Sequence, residues 1–265
     1  MNKLTFCVLA YKESPYLEEC LQSLLKQKGK IIICTSTPNQ YLANLAKKYN
    51  LPLNINQEKN GIASDWNFAL NQAKTPYVTL AHQDDLYLPS YSEDIIKMMD
   101  EHPDSLLAFT GYAERVESEG KESFDRENSL NLIIKKIILY FQFGSRESIS
   151  NKNQKLSLLK FGSPIPCPSV CYNKQNIGKF AFNQKLKINM DWFTWYQMAK
   201  MNGSFLFKNK MLMIHRIHQD SATSKGLIDN ARQSEDKKMF ELFWPKKISS
   251  FISYIYSLSY KSNNV

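Results

Sequence analysis

Short apolar runs alternate with amphipathic helical patterns throughout residues 4–85, and this alternation limits the chain to a small set of folds. Each run has the length of a strand buried on both faces, and the segment that follows most runs places leucine or alanine at helical spacing. Such strands and helices form βαβ units with right-handed crossovers around a parallel sheet. We therefore predict buried strands at Leu4–Ala10, Ile31–Cys34, Leu53–Ile55 and Tyr77–Ala81.

Turn-forming residues mark where the intervening helices begin. Ser14 and Thr37 each precede a proline, which predicts that they start the first and second helices. Gly29 is expected to end the first helix, and Gly61 precedes the third. The first half of the chain therefore predicts a layered α/β fold.

Polar segments follow three of these predicted strands: Tyr11–Glu13, Thr35-Ser36 and His82–Asp85. Because the carboxyl ends of parallel strands meet at one edge of a sheet, where ligands bind, we expect these segments to lie together. The paired carboxylates of Asp84 and Asp85 suit a hard divalent cation such as Mg²⁺ or Mn²⁺. The competing interpretation is that this pair only caps the next helix or turn.

The charge of the chain points to an anionic partner. Its formal net charge is +9, which suits a nucleotide phosphate or an anionic lipid. The basic residues are scattered and form no stripe along a helix, so we expect no nucleic acid partner. No signal pattern is visible, and no apolar stretch approaches the roughly 20 residues of a spanning helix. We therefore expect a soluble or surface-bound cytoplasmic protein.

The cysteines predict buried free thiols in a reducing compartment. Their number, five, is odd, and Cys7 and Cys34 lie in apolar, strand-like runs. Cys167 and Cys171 have the spacing of half a zinc site, but no second pair of cysteines exists. A structural zinc ion is therefore not expected.

Three stretches resemble family 2 glycosyltransferases with the GT-A fold: residues 4–27, Asn60–Asn67 and His82–Asp85. Their order and spacing match the family, and the similarity extends over residues 4–115 and, less closely, 163–224. This resemblance implies a GT-A (Rossmann-like) α/β fold, in which a mixed, mostly parallel sheet is flanked by helices, with a helical C-terminal extension. It also implies a nucleotide-sugar donor and a Mn²⁺ or Mg²⁺ cofactor.

The same resemblance implies roles for individual residues. The family's acidic motif reads Asp-x-Asp-Asp, so Asp84 corresponds to the main metal ligand and His82 replaces the first acid. An imidazole can ligate Mn²⁺ but suits Mg²⁺ less well. Thr35 lies where the family has an aspartate that faces the nucleobase, and a hydroxyl can still bond uracil or thymine. The implied donor-binding residues are Ala10, Tyr11, Glu13, Thr35, Asn60, Gly61, Asp65, Trp66, His82, Gln83 and Arg216.

Asp191 opens a predicted aromatic helix and has two interpretations. On local grounds it is an N-cap; by resemblance it is the general base that takes the proton from the acceptor hydroxyl. Met190 replaces the acid that precedes this position in the family, and an apolar neighbour makes a carboxyl more basic. Trp192 is a candidate acceptor contact.

The proline-rich segment Gly162–Val170 is predicted to be a turn followed by a strand, because its prolines exclude helix. One interpretation is a rigid connector. By resemblance, Ser169 in this segment is a second candidate acceptor contact.

A later apolar strand, Met211–Ile214, leads into His215, Arg216 and His218. Alternation along the strand places His215 on one face and Arg216 with His218 on the other. By resemblance, His218 approaches the metal or the diphosphate, and Arg216 donates to the phosphates. Residues 221–224, rich in serine and threonine, would form a loop that closes over the donor.

Leu130–Phe143 and Phe240–Tyr260 place aromatic side chains beside lysines. This composition is typical of an interfacial anchor on an anionic membrane leaflet, and the alternative is packing against the catalytic domain or another subunit. We predict a catalytic domain of residues 1–225 and a C-terminal aromatic, basic helical segment of residues 226–265. The predicted parts of the domain are a nucleotide-sugar-binding half (1–115), a helical insertion (116–160) and an acceptor and catalytic half (161–225).

Taken with the resemblance, the sequence predicts a metal-assisted, inverting glycosyltransferase of hexosyl type. The expected donor is a UDP- or dTDP-sugar and the expected acceptor is a glycan or a lipid-linked glycan. The expected setting is polysaccharide synthesis at the inner face of a bacterial plasma membrane.

Two alternatives remain. A sugar nucleotidyltransferase shares a related sheet but needs a glycine-rich phosphate loop, and Ala10–Ser14 contains no glycine. A non-catalytic nucleotide-sugar-binding or adaptor protein would explain the departures from the family pattern at Thr35, His82 and Met190. Turnover separates this second alternative from an enzyme.

Overall fold

The computed structural model describes residues 2–117, 124–218 and 231–258, and one sheet organises them. The strands are β1 (Leu4–Leu9), β2 (Lys30–Thr35), β3 (Leu53–Ile55), β4 (Tyr77–His82), β5 (Leu86–Tyr87), β6 (Ser105–Val116), β7 (Phe124–Arg126), β8 (Ser148–Ile149), β9 (Cys171–Asn173) and β10 (Ser204–Ile217). The helices are α1 (Leu17–Leu24), α2 (Gln40–Lys48), α3 (Ile62–Gln72), α4 (Tyr91–Glu101), α5 (Leu130–Phe143), α6 (Lys152–Leu159), α7 (Lys174–Ile177), α8 (Met190–Ala199), α9 (Ala231–Glu241) and α10 (Lys246–Leu258).

The order of strands across the sheet is β3-β2-β1-β4-β9-β6-β10-β5, with β7 beside β6 and β8 beside β10. The four strands of the first half run parallel to one another. The short strand β9 is antiparallel to both of its neighbours, so β6 and β10, which are parallel to each other, point the same way as β4. The predicted α/β fold with a mixed, mostly parallel central sheet is therefore confirmed.

The first two helices start later than predicted. The N-cap of α1 is Tyr16 rather than Ser14, because the Ser14 hydroxyl accepts a hydrogen bond from the Tyr16 backbone and closes a turn before the helix. The N-cap of α2 is Asn39 rather than Thr37, and its side chain accepts from the Leu42 N–H at 2.9 Å.

Gly29 and Gly61 have different structural roles. Helix α1 ends at Leu24, so Gly29 does not terminate it; instead a Cβ at Gly29 would lie 3.1 Å from the ring of Phe6. Gly61 is the N-cap of α3, as predicted, with a φ of 83° that favours glycine. The loop before α3 therefore depends on a residue without a side chain.

The core lies on both faces of the sheet. In β1, Phe6 and Val8 pack into one hydrophobic cluster with α1, α2 and α4, whereas Cys7 belongs to the other. That other cluster includes Met239 and Phe240 of α9, both buried. The core thus continues across the predicted boundary at residues 225 and 226, and the division into domains stays a prediction.

The second half differs from expectation in three details. The strand predicted at Met211–Ile214 is part of the much longer β10. The proline-rich segment contains a short 3₁₀ helix, Cys167–Ser169, because proline is tolerated in a first helical turn. The run Phe240–Tyr260 contains the end of α9 and the whole of α10, and its last two residues lie outside the described chain. All five cysteines are buried free thiols, as predicted.

Helix α5 has the predicted bounds, and both it and α10 carry exposed aromatic side chains. Tyr140 and Phe141 on α5 are 71% and 77% exposed, and Phe251 and Tyr254 on α10 are 64% and 63% exposed. Within the described ranges, none of the helices combines the length and apolar character needed to cross a membrane.

Candidate active site

The three polar segments that follow β1, β2 and β4 lie together at the carboxyl edge of the sheet. The Tyr11 N–H donates to the Gln83 side chain at 2.8 Å, and the Gln83 amide donates back to the Tyr11 carbonyl at 3.3 Å. Asp65 on α3 accepts from the Ser36 hydroxyl at 2.8 Å and from the Asn56 amide at 2.9 Å. These bonds hold the loops around one edge, and the donor-binding role of their residues stays a prediction.

The other predicted donor residues at this edge differ in exposure. Ala10 and Thr35 are buried, whereas Glu13 and Asn60 are exposed. The Thr35 hydroxyl accepts from the Thr37 N–H at 3.0 Å, so the group expected to face a nucleobase already has a partner.

Asp84 and two histidines form the polar end of the site. His218 Nε2 lies 2.9 Å from Asp84 Oδ2, and the rings of His82 and Trp66 are 5.3 Å apart. One ligand atom each of His82, Asp84 and Asp85 lies within 4.8 Å of the others. Burial would raise the pKa of Asp84, but the hydrogen bond from His218 and the charge of His215 lower it instead. Asp84 is therefore ionised and suited to a cation.

Asp85 is fully buried and ties β10 to the end of β4. Its Oδ1 accepts from the Arg216 N–H and lies 2.9 Å from His215 Nδ1. Burial would lower the pKa of His215, but the Asp85 carboxylate outweighs burial and raises it to about 9. Burial lowers the pKa of His82, whose Nδ1 is 3.9 Å from Asp85 Oδ2. His215 is thus charged and His82 neutral, the form in which an imidazole binds a metal.

The Arg216 side chain is used within the protein. It is 4% exposed, forms an ion pair with Glu19 at 2.5 Å and a second with Glu117. Arg216 and His218 both contact the ring of Tyr16, which confirms that they share a face. The predicted contact between Arg216 and a donor phosphate would require one of these ion pairs to open.

A cavity of about 710 Å³ is lined by both Asp84 and Asp191. Its charged lining comes from β6, β10, α5, α8 and α9, from the end of β4 and from the segment before α8: Asp84, Glu114, Lys135, Lys187, Asp191, His215, Arg216 and Arg232. Its apolar wall comes from α5, α10 and the proline-rich segment: Ile134, Ile138, Ile165, Phe251, Ile252, Ile255 and Tyr256. The cavity therefore has a polar end and an apolar side.

Asp191 lies in the first turn of α8 and is half-buried. The N-cap of that helix is Asn189, so the interpretation of Asp191 as an N-cap is wrong; its Oδ1 accepts from the Trp192 N–H at 2.6 Å. Burial raises the pKa of Asp191 to about 6, although that hydrogen bond and the charges of Arg232 and Lys135 act to lower it. At pH 7 the carboxyl is mostly ionised yet more basic than an ordinary aspartate, as a general base requires.

The two predicted acceptor contacts have different surroundings. Ser169 is fully buried, and its hydroxyl donates to the Pro166 carbonyl at 2.9 Å. It is not among the residues that line the cavity, and its role as an acceptor contact stays a prediction. Trp192 does line the cavity, although it is 1% exposed and its indole N–H donates to the Leu159 carbonyl at 3.1 Å. Its role as an acceptor contact stays a prediction.

Sequence reasoning missed part of the cavity wall. Glu114 is 5% exposed within β6, and a charge inside an otherwise apolar strand was the available signal. Lys135 donates to the Tyr112 hydroxyl at 2.7 Å, and Arg232 reaches the cavity from α9. No local pattern marked either cation, because both come from helices remote in sequence. The loop predicted at residues 221–224 lies outside the described residues.

Comparison with known proteins identifies relatives of this chain. Residues 5–169 match the family model described as Glycosyl transferase family 2. Uncharacterized glycosyltransferases of Rickettsia typhi and Rickettsia prowazekii are each 22% identical over 230 residues, which cover 84% of this chain and 67% of the relative.

Solved structures share the fold. S. aureus TarS 1–349 in complex with UDP-GlcNAc has a TM-score of 0.61 at 15% identity, over 95% of this chain and 70% of that one. The mannosyltransferase PcManGT of Pyrobaculum calidifontis, in complex with GDP-Man and Mn²⁺, has a TM-score of 0.63 at 13% identity, over 90% of this chain and 63% of that one. The match spans 42% of the longer TarS structure. These likenesses establish the GT-A fold.

Proposed function

The chain belongs to glycosyl transferase family 2 and is a glycosyltransferase, and we propose that it uses a UDP- or dTDP-sugar in a metal-assisted, inverting reaction. The observation that carries this proposal is the pairing of two carboxyl groups with opposite properties in one cavity. Asp84 has a lowered pKa, whereas Asp191 has a raised one. Opposite shifts in neighbouring acids mark separate chemical roles.

Asp84 with His82 or His218 would hold a divalent metal ion. Two observations fit such an ion: the close approach of the His82, Asp84 and Asp85 ligand atoms, and a buried His82 Nε2 that lacks a hydrogen-bond partner among the described residues. Imidazole ligation favours Mn²⁺ over Mg²⁺. When bound, the metal supplies positive charge against the diphosphate that leaves the sugar. Mn²⁺ is present in the mannosyltransferase structure with a similar fold.

Asp191 would act as the general base. An acceptor hydroxyl enters the cavity and its oxygen forms a bond to the anomeric carbon of the sugar. As the bond from that carbon to the diphosphate oxygen breaks, Asp191 takes the hydroxyl proton and the nucleoside diphosphate leaves. Direct displacement of this kind inverts the anomeric configuration.

The shape of the cavity supports a lipid-linked glycan as the acceptor. Its apolar side is formed by α5 and α10, and two cations, Lys135 and Arg232, also line the cavity. Phe141 on α5 is an exposed aromatic side chain, and Phe251, which lines the cavity from α10, is also mostly exposed. Such an arrangement suits an amphiphile presented at an anionic membrane, at the inner face of a bacterial plasma membrane during polysaccharide synthesis.

The first experiment measures release of nucleotide from UDP-GlcNAc, dTDP-glucose and GDP-mannose with Mn²⁺, Mg²⁺ or EDTA. We expect metal-dependent release from a uridine or thymidine donor, and loss of release in Asp84→Ala. The matched control is Asp104→Ala, because Asp104 is exposed before the start of β6, at the opposite edge of the sheet. Calorimetric titration with UDP, dTDP and GDP accompanies the assay, and failure to bind all three would contradict the proposal.

A second experiment tests the membrane. Sedimentation with phosphatidylglycerol vesicles is compared with sedimentation with phosphatidylcholine vesicles. We expect binding to the anionic vesicles only, weakened in the double variant Phe141→Ala, Phe251→Ala. Leu25→Ala, which removes an apolar side chain that is 45% exposed on α1, is the control. Equal binding by all variants would place the membrane contact elsewhere or exclude it.

A further inference from the structure

We propose that the C-terminal helix α9 positions the catalytic base through Glu235 and Asp236. This inference rests on the proposed role of Asp191. It gives α9 a function in the active site, although the family match ends at residue 169.

Glu235 holds the backbone immediately before α8. Its carboxylate accepts from three consecutive N–H groups: Lys187 at 2.8 Å, Ile188 at 2.9 Å and Asn189 at 2.9 Å. Glu235 is only 7% exposed. Hydrogen bonds to a charged acceptor are stronger than neutral ones, so three on one carboxylate fix the local path of the chain.

Asp236 holds the N-cap of the same helix. It is 1% exposed and accepts from the Asn189 side-chain amide at 2.5 Å. Asn189 makes no capping hydrogen bond with its own side chain, and that amide is instead bound to α9. The start of α8 is therefore defined by contacts with another helix, two residues before Asp191.

Aromatic packing from α9 restrains the residue that follows Asp191. Phe240 is fully buried, and its ring meets the ring of Trp192 edge to face with centroids 5.1 Å apart. Helix α9 thus contacts Asn189 before Asp191 and Trp192 after it. The backbone on both sides is restrained, and Asp191 remains in the lining of the cavity.

The test compares two Glu→Gln substitutions on α9. Glu235→Gln keeps the shape of the side chain but replaces one of its two carboxylate oxygens with an amide NH2 group, which cannot accept. The three N–H groups that bond to two oxygens in the wild type then have one acceptor oxygen. Glu241→Gln makes the same change at an exposed position of the helix. Two properties are measured: hydrogen exchange of amides 187–192, and nucleotide release from UDP-GlcNAc, dTDP-glucose or GDP-mannose with Mn²⁺.

In Glu235→Gln we expect faster exchange at amides 187–192 and unchanged exchange in β4. We also expect kcat to fall by about 10- to 100-fold, since small misplacement of a catalytic group has effects of that size. The donor KM should stay within about twofold, because the hydrogen bonds of Glu235 to the described residues go to 187–189 and not to the donor edge, the segments that follow β1, β2 and β4. Glu241→Gln should match the wild type in every measurement.

The inference would be overturned by unchanged exchange at amides 187–192, or by a kcat within about twofold of that of Glu241→Gln. A parallel loss of kcat, donor affinity and thermal stability would also overturn it, because that pattern indicates a purely structural role. Asp191→Asn separates this inference from the proposed function. If Asp191→Asn retains full activity, the proposed base is wrong; if it is inactive while Glu235→Gln is normal, only the positioning role fails.

Discussion

The two ends of the cavity are built in different ways. At the donor edge, the functional segments follow β1, β2 and β4, and all of them lie within residues 4–85. At the base end, Asp191 shares the cavity lining with Glu114, Lys135 and Arg232, which come from three separate elements. Parallel strands therefore determine the donor edge, whereas contacts between distant helices determine the base end.

The two ends also differ in electrostatics. Asp84 has histidines around it, and despite burial the hydrogen bond from His218 and the charge of His215 lower its pKa. Asp191 has an apolar neighbour in Met190, and burial raises its pKa to about 6. A cavity that holds one carboxyl with a lowered pKa and one with a raised pKa can bind a cation at the first and accept a proton at the second.

The largest expected effect comes from a substitution that removes the proposed base and leaves the donor edge unchanged. Asp191→Asn removes the proton acceptor, so we expect nucleotide release to fall by about 10²- to 10⁴-fold, the usual contribution of a general base. Calorimetry should show that affinity for the nucleotide is retained, because the donor edge is untouched. Asp84→Ala should instead abolish the metal dependence of binding. Equal loss of nucleotide affinity in both variants would mean that the two ends are not separate.

The next effect concerns stability. Phe240→Ala removes a fully buried ring of α9, and we expect a decrease of about 3–5 kcal/mol in the free energy of unfolding. Phe251→Ala removes a ring that is 64% exposed and should change the free energy of unfolding by less than about 0.5 kcal/mol. Urea unfolding measures both. Similar values for the two variants would contradict the packing of α9 into the core.

The pH dependence of turnover sharpens the comparison further. Because burial raises the pKa of Asp191 to about 6, kcat should fall about tenfold per pH unit below pH 6. An ordinary aspartate would stay ionised down to pH 4. A rate that is constant from pH 7 to pH 4 would exclude Asp191 as the titrating base.

The smallest expected effect is a gain in folding stability from Asp191→Asn. The folded-state pKa of Asp191 lies above its unfolded value, so its ionisation opposes folding, fully above about pH 6 and not at all below about pH 4. Asp191→Asn should therefore raise the free energy of unfolding by about 1–2 kcal/mol at pH 8 and leave it unchanged at pH 3.5. Denaturant titrations at both pH values test this sign.

Much of the donor edge could be predicted from local patterns. Apolar runs and helical spacing placed all four first strands to within one residue of their ends. The distinctive composition of a buried strand accounts for this in β1 and β4. The helix starts were less predictable, since Thr37 and Asn39 could each cap α2 and the Asn39 side chain does so, whereas the Ser14 hydroxyl accepts within a turn before α1. The burial of Ser169 away from the cavity lining was not predictable either, because a serine in a turn shows no sign of which way its hydroxyl faces.

The sequence by itself determined the α/β class, the order of the first strands and the convergence of their polar ends, because backbone periodicity and burial follow from residues close together in the chain. Only the tertiary structure decided which groups surround Asp191. In the sequence, nothing distinguishes Lys135, Arg232 and Glu235 from other charged residues on helices. Their roles come from the packing of α5 and α9 around the cavity. A raised pKa is a property of such surroundings, so no local pattern could have assigned it.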